Sequence, residues 1–440
     1  MNKQPFILIE SPFTTKSGYG FRSYDFIKAL IEVYPEWNIK LLPTAWGHTP
    51  QNALDVNNKE HQLLLSRIFR EKTMTVQPDI HIQISVANEC RPLGKYNILV
   101  TAGIETNFVS AAWLQGANKM NLTLVSSNHS RMSFLNAKYN QTDNRTKKVI
   151  SQLKLETMID TIFEGYDINK FYKTDTLEES IDETMNEIKE DFNFLFVGSW
   201  LNGEIGQDRK DVGMLVKTFL NTFKYNPTKE EAFIKRGLLN KVPALILKTQ
   251  GATPSRMDKE RIEKNINNIK NTVLNESEKN TILPNIYVIH GELSTSELNS
   301  LYNHPKVKTY ISFTKGEGFN RTPLEFSTTE KPIMISNYGG HLDYLNHKGC
   351  TLLPGELKQV HPSVVWKDII EVKSMWFTVN YDIASNKMAD IFENYNKYVN
   401  KARQQKSKDW TYDKMKERIK MLFDKYIPKE IFSQELPLNL

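Results

Sequence analysis

The sequence predicts an α/β protein of two Rossmann-like domains. Two observations carry this reading. Short apolar runs alternate with stretches of helical periodicity, and the alternation restarts after an acidic segment near the middle of the chain. A length of 440 residues suits two or three domains, each large enough to bury its own core.

Pro5 to Glu10 is a short apolar run leading into Ser11-Pro12 and the loop Lys16-Ser17-Gly18-Tyr19-Gly20, as a buried strand does when it enters a turn. Ile27, Leu30, Ile31 and Tyr34 then recur at helical spacing until Pro35 stops the pattern, which completes one β–α unit. Further units follow: a strand at Asn38 to Leu42, a helix at Glu60 to Arg70, and strands at Ile80 to Val86, Asn97 to Thr101, Leu122 to Ser126 and Met158 to Phe163. Strands joined by helices must run parallel, because the crossover helix is what returns the chain. The reading divides the chain into a first domain over 1–172, an acidic linker over 173–191 that also reads as a solvated helix, a second domain over 192–400, and a helical segment over 401–440. The second domain carries strands at Phe192 to Val197, Ala244 to Leu247, Ile286 to Ile289, Lys308 to Phe313 and Pro332 to Ser336.

Composition excludes several classes. With 40% hydrophobic and 25% charged residues the chain is not disordered, and two cysteines, Cys90 and Cys350, make neither a disulfide framework nor a four-cysteine zinc site. No run approaches the length of a membrane span, and Phe6 to Ile9 is too short for a secretory core, so the expectation is a cytoplasmic protein without membrane insertion. The net charge of +6 permits a polyanionic partner without demanding one. Ten basic residues between Lys397 and Lys425, interrupted by four acids, read either as a solvated helical face or as a polyanion contact.

The segment Phe313 to Phe326 carries the chemistry. A strand ends at Phe313, Gly316 and Gly318 allow a tight loop, and a helix opens near Thr322-Pro323. Ligands bind at this edge of open α/β sheets, so Glu317 and Glu325 can face one crevice. Thr322 and Glu325 also fit a capping box, which would make Glu325 structural, and Glu317 also reads as a loop acid. Arg209-Lys210 offers two cations suited to a leaving phosphate, or else a solvent-facing basic pair. His81, flanked by Ile80 and Ile82, reads as structural; Glu89, Glu105 and His129 are further candidates for handling a proton, and none is singled out.

Glu317-Gly318-Phe319, Pro323-Leu324-Glu325, Lys331-Pro332-Ile333 and Gly339-Gly340 resemble the E-x7-E region of retaining GT-B glycosyltransferases of family 4. Asn320 stands where that family usually has glycine, and Thr329-Glu330 where small residues are common. The likeness continues in family order through Gly18-Tyr19-Gly20, Glu105-Thr106 with Trp113, Ser126 to Phe134, Gly165-Tyr166-Asp167 with Phe171, Phe196-Val197-Gly198 and Arg209-Lys210, with Asp211 in place of a glycine and Ser199 where many members have arginine.

The resemblance implies a GT-B fold with a C-terminal helix crossing back to the N-terminal domain. It implies a nucleoside-diphosphate sugar donor, UDP-sugar being the commonest, and no metal or other cofactor; the chain has no D-x-D sequence. Glu317, Arg209 and Lys210 would act in catalysis. Gly18, Tyr19, Gly20, Arg209, Lys210, Gly318, Phe319, Asn320 and Glu325 would bind the donor, Glu325 through the ribose and Glu317 through the sugar. The stretches around Lys16 to Phe26, Thr44 to Pro50, Gly339 to Asp343, Leu353 to Gly355 and His361 to Trp366 are similar to glycosyltransferases of large tailed bacteriophages, which points to host cytoplasm and to hydroxymethylated pyrimidine in duplex DNA as acceptor. A glycan, lipid or protein acceptor stays open, as do a nucleotide-sugar epimerase and a non-catalytic sugar- or DNA-binding protein. Nothing in the sequence fixes an oligomeric state.

Overall fold

A computed structural model describes residues 4–71, 73–143, 145–146, 148–201, 203–227, 242–251, 255–404 and 407–432. The strands are β1 (Phe6–Ser11), β2 (Asn38–Pro43), β3 (Ile80–Ile84), β4 (Tyr96–Thr101), β5 (Leu122–Val125), β6 (Tyr139–Thr142), β7 (Val149–Leu153), β8 (Met158–Thr161), β9 (Asn193–Val197), β10 (Ala244–Lys248), β11 (Ile286–Ile289), β12 (Val307–Ser312), β13 (Ile333–Ser336), β14 (Thr351–Leu353), β15 (Gly355–Gln359) and β16 (Met375–Val379). They fall into two compact units: residues 1–165, 365–374 and 410–440 in the first, and 166–364 and 375–409 in the second.

The first unit is built on a six-stranded sheet in the order β2-β1-β3-β4-β5-β8, parallel throughout. The helix Gly18–Val33 buries Phe26, Ile27, Leu30 and Ile31 against one face, as its spacing requires. On the other face, Trp113 of Ala111–Ala117 packs against Phe134 of Asn128–Asn136. Every residue of β3 is buried, so its apolar–polar alternation does not mark one wet face; His81 and Gln83 lie inside a sheet covered on both sides. The helix expected to reach Arg70 stops at Leu65.

The second unit has the sheet order β11-β10-β9-β12-β13-β14, again parallel. Numbered within the unit this is 3-2-1-4-5-6, the dinucleotide-fold order, which reverses between β9 and β12 and leaves a crevice beyond their C-terminal ends. Residues 173–191 hold the helix Glu179–Asn186, the helical alternative for this stretch, and the Ser300 hydroxyl accepts from the backbone N–H of Glu178 at 3.0 Å.

Two antiparallel hairpins have no counterpart in the sequence reading. The pair β15–β16 lies in the second unit. The pair β6–β7 is a two-stranded ribbon of the first, rooted where Tyr139 Oη donates to Val109 O at 2.7 Å and exposed along most of its length.

The basic C-terminal run is not one helix but Tyr395–Ala402 and Tyr412–Tyr426, which follow Tyr381–Glu393. Tyr412–Tyr426 buries Met415, Ile419, Leu422 and Phe423 in the first unit's core. Its cations are largely matched by acids: Arg418 with Asp160 at 2.7 Å, Lys414 with Glu417 at 2.7 Å, Lys416 with Glu32 at 3.0 Å, Lys420 with Asp424 at 3.2 Å, and Lys425 with Asp160 at 3.2 Å. Several of these pairs are exposed, as on a solvated helical face. Lys406, also counted in the run, lies outside the described residues. No helix among the described residues is long and apolar enough to cross a membrane.

Gly165 shows how closely the C-terminal segment approaches. A Cβ there would lie 2.4 Å from the backbone oxygen of Thr411, whereas one on Gly18 would meet nothing within 4 Å. Gly165→Ala is expected to lower unfolding free energy by about 1–3 kcal/mol, and Gly18→Ala to leave it nearly unchanged. Urea midpoints check both, and a Gly165→Ala protein as stable as wild type contradicts the close approach.

Candidate active site

The strand order decides where chemistry can gather. The loop after β9 carries Arg209, Lys210 and Asp211, and the loop after β12 carries Thr314 to Asn320, so both rise at the reversal point of the second unit. They are stitched together there: Lys315 N donates to Arg209 O at 2.8 Å, and Arg209 Nη1 donates to Gly316 O at 2.9 Å.

Glu317 is the centre. Its Oε2 accepts from Arg209 Nη1 at 2.8 Å, and its Oε1 accepts from Lys210 Nζ and, at 2.8 Å, from Thr314 Oγ1. Burial by itself would raise this carboxyl, but Lys210 and Arg209 outweigh it and hold it at about 2. Glu317 is thus ionised at any working pH. Beside it His341 is fully buried; its Nε2–H donates to Ser336 O at 2.8 Å, and burial lowers its pKa, so it is a neutral brace.

Glycines set the approach of the neighbouring loop. Gly339 has φ 117°, Gly340 N donates to Glu317 O at 2.8 Å, and a Cβ on Gly340 would fall 2.0 Å from Gly318 O. Gly339-Gly340 therefore lets the turn after β13 support the Glu317–Gly318 backbone.

The two residues that stand where the resembled pattern has glycine share one backbone feature. Asn320 has φ 74° and Asp211 φ 53°, each at the start of a helix, Arg321–Ser327 and Val212–Phe223. Asn and Asp are the residues that tolerate the left-handed region best after glycine, so the backbone conformation survives the substitution. Thr322 lies inside the first of these helices rather than at its cap, which sets aside the capping-box reading of Glu325. Glu325 is buried, with Arg321 Nε 3.4 Å from its Oε1. Phe319 is buried against Tyr344 with ring centres 5.2 Å apart, and Tyr344 Oη donates to Asn320 O.

Beneath Arg209 and Lys210 lies a network that the sequence reading missed. Asp211 is fully buried; its Oδ2 accepts from Tyr381 Oη at 2.6 Å, and its Oδ1 is 3.6 Å from Lys315 Nζ, which also donates to Gly206 O. Burial is the largest influence on Asp211 and lifts its pKa to about 6 despite Lys315. The one available signal was Asp211 itself, an acid in a glycine position.

The structure thus brings Arg209, Lys210, Glu317, Gly318, Phe319, Asn320 and Glu325 to one edge of the second unit. Gly18, Tyr19 and Gly20 belong to the first, where they open the helix Gly18–Val33 and Ser17 Oγ accepts from Gly20 N at 3.0 Å. Tyr19 stacks on Trp46 at 4.1 Å and its Oη pairs with Thr101 Oγ1 at 2.9 Å. A Cβ on Gly20 would fall 1.9 Å from Thr15 O, so its glycine is required by packing alone. His81 is fully buried, its Nε2 3.3 Å from Glu10 Oε2, and Glu10 is gripped by Arg91 at 2.6 Å.

No family model matches the chain. No sequence among curated proteins matches it either. Solved structures do. HepE of Anabaena, in complex with UDP and glucose, aligns with a TM-score of 0.57 at 12% identity over 95% of this chain and 99% of that one. Sucrose-phosphate synthase of Thermosynechococcus elongatus gives 0.56 at 10% over 96% and 99%. A glycosyltransferase of Rickettsia africae gives 0.56 at 12% over 97% and 100%. The shared architecture is the GT-B fold, two parallel α/β domains in one chain.

The raised Asp211 has a stability consequence. Its folded state holds a proton that the unfolded chain releases near 3.8, so stability falls as pH rises from about 4 to about 6. Relative to Asp211→Asn, wild type should lose up to roughly 3 kcal/mol across that window and stay level above it. Glu317, present in both proteins, contributes stability above its ordinary 4.5 that is lost as pH falls toward 2, and cancels in the comparison. Thermal melts between pH 4 and 8 check this; wild type staying level with Asp211→Asn, or gaining on it, as pH rises contradicts it.

Proposed function

We propose that this chain is a retaining glycosyltransferase that moves a sugar from a nucleoside-diphosphate sugar, UDP-sugar foremost, to a hydroxyl acceptor without a metal ion. The observation that carries the reading is the Arg209–Lys210–Glu317 cluster at the strand-order reversal of a GT-B second domain. Ligands of this sheet type bind at that edge, and two cations there are suited to a diphosphate.

The reaction needs the bond between the sugar C1 and the β-phosphate oxygen to break while a bond from C1 to the acceptor oxygen forms on the same face. Negative charge grows on the departing diphosphate, and Arg209 and Lys210 stabilise it, the part a divalent ion plays elsewhere. The acceptor proton passes to the leaving phosphate oxygen, so no separate base is required. Glu317 and the amides of Gly318 and Phe319 hold the sugar, and Glu325 receives the ribose hydroxyls. The Glu317-to-Glu325 spacing supports the retaining course through its family resemblance. Gly18 to Gly20 are assigned to the donor phosphates on resemblance alone.

For the acceptor we propose hydroxymethylated pyrimidine in duplex DNA. The terminal helix, with its cations internally paired, does not support this; the β6–β7 ribbon does. Lys138, Arg145, Lys148 and Lys154 are exposed on or beside it, with Asp143 in its turn, Glu156 exposed just beyond it and Glu371 near Tyr139 at its root. Its strands present Asn140, Gln141, Thr142, Ser151 and Gln152. A two-stranded ribbon fits the major groove, amide side chains read base edges there, and C5 substituents project into it.

The test is mass spectrometry of nucleosides after incubating the protein with a panel of nucleotide sugars and duplex DNA, unmodified or hydroxymethylated. A pentose or hexose gain confined to the hydroxymethylated base is expected. Replacing Lys138, Arg145 and Lys148 together by Gln should weaken duplex binding at least about tenfold and flatten its salt dependence, leaving donor hydrolysis without DNA unchanged. Donor hydrolysis with no gain on DNA moves the acceptor to a glycan, lipid or protein; no turnover of any nucleotide sugar overturns the enzyme reading.

A further inference from the structure

Glu317 occupies the cations that the donor needs. Both of its oxygens are committed, Oε2 to Arg209 at 2.8 Å and Oε1 to Lys210 and Thr314, and its side chain is 9% exposed beside cations that are 20% and 16% exposed. An arriving diphosphate therefore meets two cations already bonded to an internal anion. The carboxylate takes a donor from each cation and offsets the positive charge the diphosphate would otherwise meet, so the diphosphate gains less from Arg209 and Lys210 while Glu317 holds them. Arg209 is also held by Gly316 O at 2.9 Å, so the guanidinium keeps its place while its anionic partner changes.

We infer that Glu317 competes with the donor diphosphate for Arg209 and Lys210, so that the site holds a nucleoside diphosphate weakly unless an attached sugar gives the displaced carboxylate new hydrogen-bond donors. This rests on the proposed donor reading and assigns Glu317 a role in ligand discrimination in addition to its contact with the sugar. A carboxylate this buried is costly without partners. Sugar hydroxyls are such partners; the bare diphosphate left after transfer supplies none. Once the sugar has moved to the acceptor, Glu317 returns to the two cations and drives the nucleotide out. Thr314, bonded to Oε1 throughout, keeps the carboxylate poised for that return.

Calorimetric titration of the full chain with inorganic pyrophosphate, which needs no base, and with UDP tests the inference. Glu317→Gln keeps the shape and removes the charge, and should bind both probes at least about tenfold more tightly than wild type. Thr314→Val, which loosens the carboxylate without touching either cation, should tighten both by a few-fold and stands in if Glu317→Gln does not fold. Lys210→Gln should weaken both. Equal or weaker binding by Glu317→Gln, or by Thr314→Val in its place, with wild type still binding, overturns the competition and leaves the donor reading standing. Failure of wild type and variants alike to bind either probe overturns both.

Discussion

An ionised carboxylate buried between a guanidinium and an ammonium is the interaction on which the second unit's functional edge depends. Removing any member leaves unbalanced charge in a place with little water, where the penalty is severalfold that at a surface. The chain accordingly braces every member. Thr314 and Gly316 fix the Glu317 loop from below, Gly340 supports its backbone from the side, and Lys315 ties it to the segment that carries Arg209. The contacts to Arg209 and Lys210 join segments more than a hundred residues apart, brought together because the strand order reverses between β9 and β12.

Charge is arranged differently in the two units. In the second, cations converge on one buried acid and form a concentrated site. In the first, the helix Tyr412–Tyr426 spends its cations on neighbouring acids, chiefly Asp160, which Arg418, Lys425 and Tyr426 all contact. The ribbon carries further exposed cations, Lys138, Arg145 and Lys148, and in its turn Asp143 Oδ1 accepts from the amides of Arg145 and Thr146 at 2.8 and 2.6 Å. A net charge of +6 therefore says little by itself; what matters is which cations have partners.

Much of this was legible in sequence. The apolar runs of β1, β9 and β12 and the helical spacing from Ile27 to Tyr34 mark their elements, because burying a strand on two faces or a helix on one leaves a periodic record. Glu317 could be singled out as an acid between glycines at a strand's end, whereas Arg209 and Lys210 stood out from an ordinary basic pair only through the family resemblance. The ribbon β6–β7 left no clear record, since Asn, Gln, Ser and Thr interrupt it and its apolar Val149 and Ile150 stand exposed instead of marking a buried face. The Asp211–Tyr381 bond spans 170 residues and no local pattern announces it. Asn320 and Asp211 departed from a glycine pattern in sequence but preserve its backbone, which only φ reveals. Likewise the basic run reads as one long helix until Asn394, at φ −117°, ends Tyr381–Glu393 and a further break precedes Tyr412.

The most direct test of the account is a crystal structure of the protein with UDP bound. The account predicts diphosphate oxygens within hydrogen-bonding distance of Arg209 Nη1 and Lys210 Nζ, with the Glu317 carboxylate turned away from at least one of them and the ribose beside Glu325. UDP bound elsewhere, or bound with both Glu317 ion pairs intact, would contradict it.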